Sequence, residues 1–238
     1  MRINCNILIN TALSCVALYA APAMAPDAVV DNYTAASQTQ DKVLQGSSME
    51  VDIDASLPKL QKHGRLHALR RISALGHITY EALHFEGDNT IKSHVIARYL
   101  SADVQSQTDQ APSLAVTPVN YKFKYKGMTD WEGSPVHVFE VSPRHKRVGL
   151  YKGELWIDAN TFLRVRESGR FVKNPSFFVK RIEFVREYEI RDGISVPRQT
   201  RSVVDTRLVG PAEITIDFTN VSFAEGPKHA SLVDMDSQ

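Results

Sequence analysis

From Val119 to Phe223 the chain changes polarity at nearly every step. Tyr121, Phe123 and Tyr125 alternate with Lys122, Lys124 and Lys126, and Ile214, Ile216 and Phe218 alternate with Glu213, Thr215 and Asp217. A period of two sends successive side chains to opposite faces, so such runs fit half-buried strands and not helices. Short turn signals separate them. Asp192-Gly193 lies between strand-like runs at 178–191 and 194–204. A two-residue hairpin turn of type I′ needs positive φ at both central positions, which favours Asp-Gly. Glu132-Gly133 marks a second hairpin tip before Val136–Val141, and Ala159-Asn160 a third between 147–157 and 162–168. Gly210-Pro211 joins a final pair, 202–208 and 212–223.

The first half is mixed. Val29, Tyr33, Ala36 and Val43 share a helical face, and Pro26 and Gly46 suit the start and stop of a helix over 26–45. Met49–Ala55 alternates apolar residues with Glu50, Asp52 and Asp54, and strands are expected at 65–73 and 76–86. Ile91, Val95, Ile96, Tyr99 and Leu100 recur with helical spacing, which predicts a second helix over 89–104, followed by a loop from Gln105 to Pro118. The expected fold class is α+β: one large, curled antiparallel β-sheet, an open half-barrel, with two helices covering its concave face. About nine to eleven strands joined as consecutive hairpins would build it.

The N-terminus is a different kind of sequence. Arg2 is the only charged residue in the first 25, an apolar stretch follows, and small residues stand at Ala21-Pro22-Ala23. This is the pattern of a secretory signal peptide over residues 1–23. The stretch is short and interrupted for a bilayer span, so no transmembrane span is expected after its removal. The remaining chain divides into a single β domain over 24–226 and a flexible tail over 227–238. Both cysteines, Cys5 and Cys15, fall in the leader, so the mature domain would have neither disulfide nor thiol nucleophile. Ala12-Leu13-Ser14-Cys15 also has the outline of a lipoprotein cleavage box, and lipidation at Cys15 would leave a membrane-anchored protein.

The composition excludes some classes of function. Lys+Arg number 28 against 27 Asp+Glu, which gives no basic excess for a nucleic-acid partner. His63 and His67 are four apart, but without an intervening acid they lack the zinc-protease pattern, and His145 sits among Arg144, Lys146 and Arg147. Glu50, Asp52 and Asp54 fit the wet face of a strand better than an acid–base pair or a calcium site. No phosphate loop, dinucleotide fingerprint or nucleophile elbow is present. The sequence therefore reads as non-enzymatic, with no cofactor and no metal. Two basic clusters, Lys59/Lys62/Arg65/Arg70/Arg71 and Arg144/Lys146/Arg147, are solvated surface or a docking face for an acidic partner or anionic headgroups.

Gly153-Glu154-Leu155-Trp156-Ile157-Asp158 followed by Leu163-Arg164-Val165-Arg166-Glu167 resembles a hairpin of outer-membrane lipoprotein-sorting proteins. Gly133–Val141 before it and Gly210–Phe218 after it add to the likeness, which is clearest over 119–223. The pattern is similar to the LolA/LolB-type periplasmic carriers and to the related stress-sensor regulator RseB. The resemblance implies an open, curled sheet with helices over its concave side, and binding of an acyl chain or lipidated peptide in an apolar cavity. The residues expected to line that cavity are Tyr80, Ile96, Tyr99, Phe123, Tyr125, Phe184, Tyr188, Ile216 and Phe218. The expected role is an exported lipid- or lipoprotein-binding carrier in outer-membrane lipoprotein sorting, placed in the periplasm or peripheral to the outer membrane. The alternative is an envelope protein-interaction or stress-sensing module without transport activity.

Overall fold

Among the described residues polarity alternation generates ten strands, and all ten join one antiparallel sheet. The computed structural model describes residues 24–106, 111–175, 177, 179–207 and 209–223. The expected leader, 1–23, and tail, 227–238, lie outside the described residues. The strands are β1 (Ser48–Leu57), β2 (Lys62–Ile72), β3 (Ile78–Gly87), β4 (Tyr121–Trp131), β5 (Ser134–Pro143), β6 (Tyr151–Asp158), β7 (Arg164–Phe171), β8 (Val179–Arg191), β9 (Ile194–Thr206) and β10 (Pro211–Ser222). Helix α1 spans Pro26–Val43. Helix α2 runs from 89 to 106 in three consecutive pieces: α-helical at Asn89–Ile91, a π turn over Lys92–Ile96, and α-helical at Ala97–Ser106. A short α3 follows at Ala111–Leu114.

The spatial order is β3-β2-β1-β10-β9-β8-β7-β6-β5-β4. It corrects the expectation of an uninterrupted run of hairpins. Two meanders, β1–β3 and β4–β10, are joined side by side through β1 and β10, so the sheet is open and its two edges, β3 and β4, are consecutive in the chain. The junction is apolar on one face, where Val51 pairs with Phe218, Ile53 with Ile216 and Ala55 with Ile214. A register shifted by one residue would turn all of these to water. Helix α2 begins just after one edge strand, β3, and helices α2 and α3 lie in the connection to the other, β4.

Two further boundaries differ from expectation. The runs 194–204 and 202–208 are one strand, β9, which pairs with β8 on one side and β10 on the other. Polar Thr200 and Ser202 on the inner parity hide its continuity. The loop expected from Gln105 to Pro118 holds the end of α2 and all of α3.

Local chemistry explains the turns and the curl. Asp192 and Gly193 have φ of 50° and 75°, the two positive values that a type I′ turn requires. Gly153 pairs with Gly169 across β6 and β7. A Cβ on Gly153 would overlap the Ser168 carbonyl oxygen, so the backbones approach there as only glycine permits. The rings of Tyr151 and Phe184 pack T-shaped at 5.0 Å beside this bare spot. Helix α1 carries Pro26 in its first turn and is followed by Gly46 at φ 82°.

The outer face is wet and laced with charge. Arg65 donates to Asp54 at 2.8 Å, His67 meets Asp52 at 2.9 Å and Asn220 donates to Glu50 at 2.7 Å. These contacts occupy the acidic strand face and one of the paired histidines. His63 and His67 stand on a strand, where residues four apart are separated by about 13 Å. Among the described residues no helix is long and apolar enough to cross a membrane, and no group of three or more His, Cys, Asp or Glu could hold a metal ion.

Candidate functional site

The helices divide the inner face into two apolar sectors. In the first, Met49, Val51, Ile53, Ala55 and Leu57 of β1, Leu66 and Ala68 of β2, and Ala212, Ile214 and Ile216 of β10 are buried beneath Ile91, Val95 and Ile96 of α2. Tyr80, Tyr99 and Phe218 are partly buried against this cluster. In the second, Val29, Val30 and Tyr33 of α1 cover Tyr121, Phe139, Val141, Leu150, Tyr151, Leu155, Ile157 and Phe184. Phe123 packs at its margin, T-shaped to Phe139 at 6.1 Å. Tyr125 packs tilted against Phe139 at 5.1 Å but is 37% exposed on β4, an edge strand.

The proposed cavity residues therefore fall into two groups and do not ring one space. Tyr80, Ile96, Tyr99, Ile216 and Phe218 gather under α2; Phe123 and Phe184 gather under α1. Tyr125 stands at the open edge, and Tyr188 lies between the groups.

Each cover is tied down at few points. At the start of α2 the Thr90 amide donates to the Asp88 carboxylate at 2.7 Å, and Lys62 reaches Asp88 at 3.3 Å and the Thr90 hydroxyl at 2.7 Å. Near the end of α2, Asp103 accepts from Arg70 at 2.9 Å and from the Tyr80 hydroxyl at 2.7 Å. Arg70 is buried, with only 9% of its side chain exposed. Burial, and then the Asp103 charge, raise the Tyr80 phenol above its ordinary pKa and keep it a donor. Gly64 lets Ile91 and Phe85 close onto β2, because a Cβ there would sit about 3.0 Å from both. Helix α1 is held at its C-terminal end by Gln40. Its side-chain oxygen accepts from the Ser195 amide at 2.7 Å, and its nitrogen donates to the Gly193 carbonyl at 3.3 Å.

A polar seam separates the sectors. Glu167 is 2% exposed and accepts from the Tyr188 hydroxyl at 3.1 Å. Arg164 and Arg186 each approach it to 3.6 Å. The guanidinium of Arg164 lies over the Tyr188 ring and that of Arg186 over the Phe184 ring, both at 4.7 Å. Burial pushes the Tyr188 phenol up to about 12 and the Tyr151 phenol well above its usual value. The Tyr151 hydroxyl and Glu167 Oε1 are buried and make no hydrogen bond among the described residues.

Sequence reasoning missed this seam, although Glu167 carries a signal. It shares parity with Leu163 and Val165, an acid among apolar residues on an inner strand face. Arg164 is harder to see. A bulge opposite Trp156/Ile157 makes Val165 the extra residue, and Arg164 pairs with the inward Ile157.

An open groove of about 450 Å³ is lined by Ser113, Val119, Asn120, His145, Arg147 and Leu150. It holds part of the second basic cluster.

No family model matches the chain, and no curated protein matches it in sequence. Solved structures are similar to it. A DUF1329 family protein from Desulfovibrio piger aligns over 84% of this chain and 94% of its own at 15% identity, with a TM-score of 0.47. A LolA superfamily protein from Nitrosomonas europaea aligns over 86% and 96% at 11% identity, with a TM-score of 0.43. A putative outer membrane lipoprotein-sorting protein domain from Vibrio parahaemolyticus aligns over 84% and 94% at 12% identity, with a TM-score of 0.41.

Proposed function

We propose that this chain is an exported, non-catalytic binding protein of the cell envelope that takes an acyl chain, free or on a lipoprotein, against the inner face of its sheet. The observation that supports this reading is the construction of the α2 cover. Ile91, Val95, Ile96, Tyr99 and Leu100 lie on an apolar floor formed by β1, β2 and β10. Helix α2 is fastened to the sheet by the ion-pair contacts of Asp88 and Asp103. An acyl chain can replace side-chain packing of this kind at about 0.8 kcal/mol per buried methylene. Displacing the cover would present the floor, and Tyr80, Ile96, Tyr99, Ile216 and Phe218 would line the bound chain.

A fluorescent fatty-acyl probe tests the reading. The expected result is saturable binding that Ile96→Glu or Tyr99→Glu alters strongly and Lys122→Glu, on the wet face, leaves unchanged. Weak, non-saturating binding, with the Ile96 and Tyr99 variants losing only stability, would remove the acyl ligand. Export is checked in the native host, where the envelope form is expected to start near Met24 or Pro26; intact Met1 on cytosolic protein would refute it.

The second reading, a docking module for an envelope protein, is favoured by the open groove at His145 and Arg147. It predicts a stable complex with an acidic partner that Arg147→Glu abolishes. The two readings separate on organic extraction of the natively purified protein followed by mass spectrometry, where only a lipid binder yields stoichiometric acyl species.

A further inference from the structure

The seam between the two covers has hydrogen-bonding capacity that the described residues do not use. Glu167 Oε1 and the Tyr151 hydroxyl are buried and make no hydrogen bond. The residues themselves are 2% and 3% exposed. Leaving such groups unpaired is costly, and a buried polar group without a partner calls for an explanation. The guanidiniums of Arg164 and Arg186 are also under-used. Each pairs with Glu167 at 3.6 Å, beyond good hydrogen-bond length, and stacks on an aromatic face. Stacking engages the plane of a guanidinium and leaves its in-plane N–H donors free.

The side chains of Arg164 and Arg186 are 30% and 41% exposed, whereas Glu167 between them is closed off. The donors thus reach the space between the covers while the carboxylate forms the floor. Thr200 pairs with Arg186 across β8 and β9 and is partly exposed beside it. Asp41 of α1 also lies close enough to Arg164 to act on its charge, whereas Arg186 has Glu167 as its carboxylate. A single bridging water could satisfy a phenol and a carboxylate oxygen, but it would leave the in-plane donors of the two forks short of acceptors.

From this arrangement we infer that the seam is the receptor for the oxyanion head of an amphiphile, a carboxylate or a phosphodiester, gripped by Arg164, Arg186 and Tyr151. Glu167 Oε1 accepts from a hydroxyl or N–H on the same head. The inference rests on the acyl-binding reading and adds a head-group requirement to it: the ligand is a monoanionic lipid, with its tail against the apolar sector beside the seam.

The test titrates delipidated protein with three ligands that share one tail: oleate, oleoyl-lysophosphatidylglycerol and uncharged mono-olein. Either acid is expected to bind at least about tenfold more tightly than mono-olein, the value of a charge-assisted hydrogen bond. Stronger oleate binding identifies a carboxylate head; stronger lysophosphatidylglycerol binding identifies a phosphodiester. Arg186→Gln is expected to erase the preference for the acids. Tyr151→Phe removes a hydroxyl that nothing in the fold uses, so it is expected to keep the wild-type melting temperature and still weaken binding of the preferred acid several-fold. Equal affinity for all three ligands overturns the head-group inference and leaves acyl binding standing, as does an unchanged preference in both variants. Failure of all three to saturate overturns the acyl reading and this one with it.

Discussion

Asp103 is where the α2 cover is most exposed to perturbation. Its carboxylate accepts from Arg70 at 2.9 Å and Tyr80 at 2.7 Å. The Arg70 guanidinium also meets the Met49 sulfur at 3.9 Å, a weak acceptor. Asp103→Asn keeps the shape and removes the charge, stranding a buried guanidinium. Breaking a buried ion pair from one side costs about 3–5 kcal/mol. Asp103 is 19% exposed, so water recovers part of the loss, and about 2–3 kcal/mol is the expected destabilisation. For a domain of this size that is a fall in Tm of roughly 5–10 °C. Urea denaturation followed by far-UV circular dichroism reads the free energy, and calorimetry reads Tm. The double variant Arg70→Met/Asp103→Leu removes both charges and is expected to recover most of the loss, because a buried pair replaced by packed apolar groups is often neutral. If Asp103→Asn changes stability by less than about 0.5 kcal/mol, the pair is not a latch and the reasoning fails. If the double variant is as unstable as the single, the loss comes from packing and not from a stranded charge.

Three other outcomes follow from named contacts. Gly193→Val places a β-branched residue at φ 75°, where a Cβ meets nothing within 4 Å, so strain alone acts and a loss of roughly 1–3 kcal/mol is expected by urea denaturation; an unchanged midpoint would show that the turn tolerates a side chain. Gly153→Ala drives a Cβ into the Ser168 carbonyl, and its loss is expected to exceed that of Gly193→Val; an alanine variant with wild-type Tm would show that the two backbones can part without cost. Burial lowers the pKa of His137 from its ordinary value, with the Asp158 charge opposing. The unfolded chain then takes up this proton first as pH falls, so His137 contributes stability that is complete above about 6.5 and is lost as pH drops through its lower folded value. His137→Gln should flatten that part of the stability profile, and an unchanged slope below pH 6.5 would refute the assignment.

The regular parts of the fold were readable because they obey simple periods. Helix α1, the strands of both meanders and the Asp192-Gly193 turn follow from alternation, helical spacing and φ preference. The pairing of β1 with β10 was not readable, since period two says which face a strand presents and nothing about its neighbour. Strand β9 was divided because Thr200 and Ser202 stand on its inward parity, where an apolar residue would have shown continuity. The site was legible in part. Ile96 and Ile216 are buried under or beside α2, as helical and strand periodicity suggest. Tyr125 has the same parity as Tyr121 but lies exposed on the edge strand, because a period of two says which face a residue takes and not what covers it. The charged seam stayed hidden because the bulge at Val165 breaks the parity that would have placed Arg164.

The union of β1 with β10 also governs how the protein answers a pull. Ser48, at the beginning of β1, pairs with Ser222, at the end of β10, so the chain enters and leaves the sheet at one end of one seam. Tension applied through the two ends of the described chain loads that ladder as a zipper, one rung after another, and never as a row sheared together. The sheet should open through its middle at low force, with each meander intact and α2, α3 and their connection left as the tether. A force-extension trace showing a first step at high force, with all ten strands lost together, would contradict this.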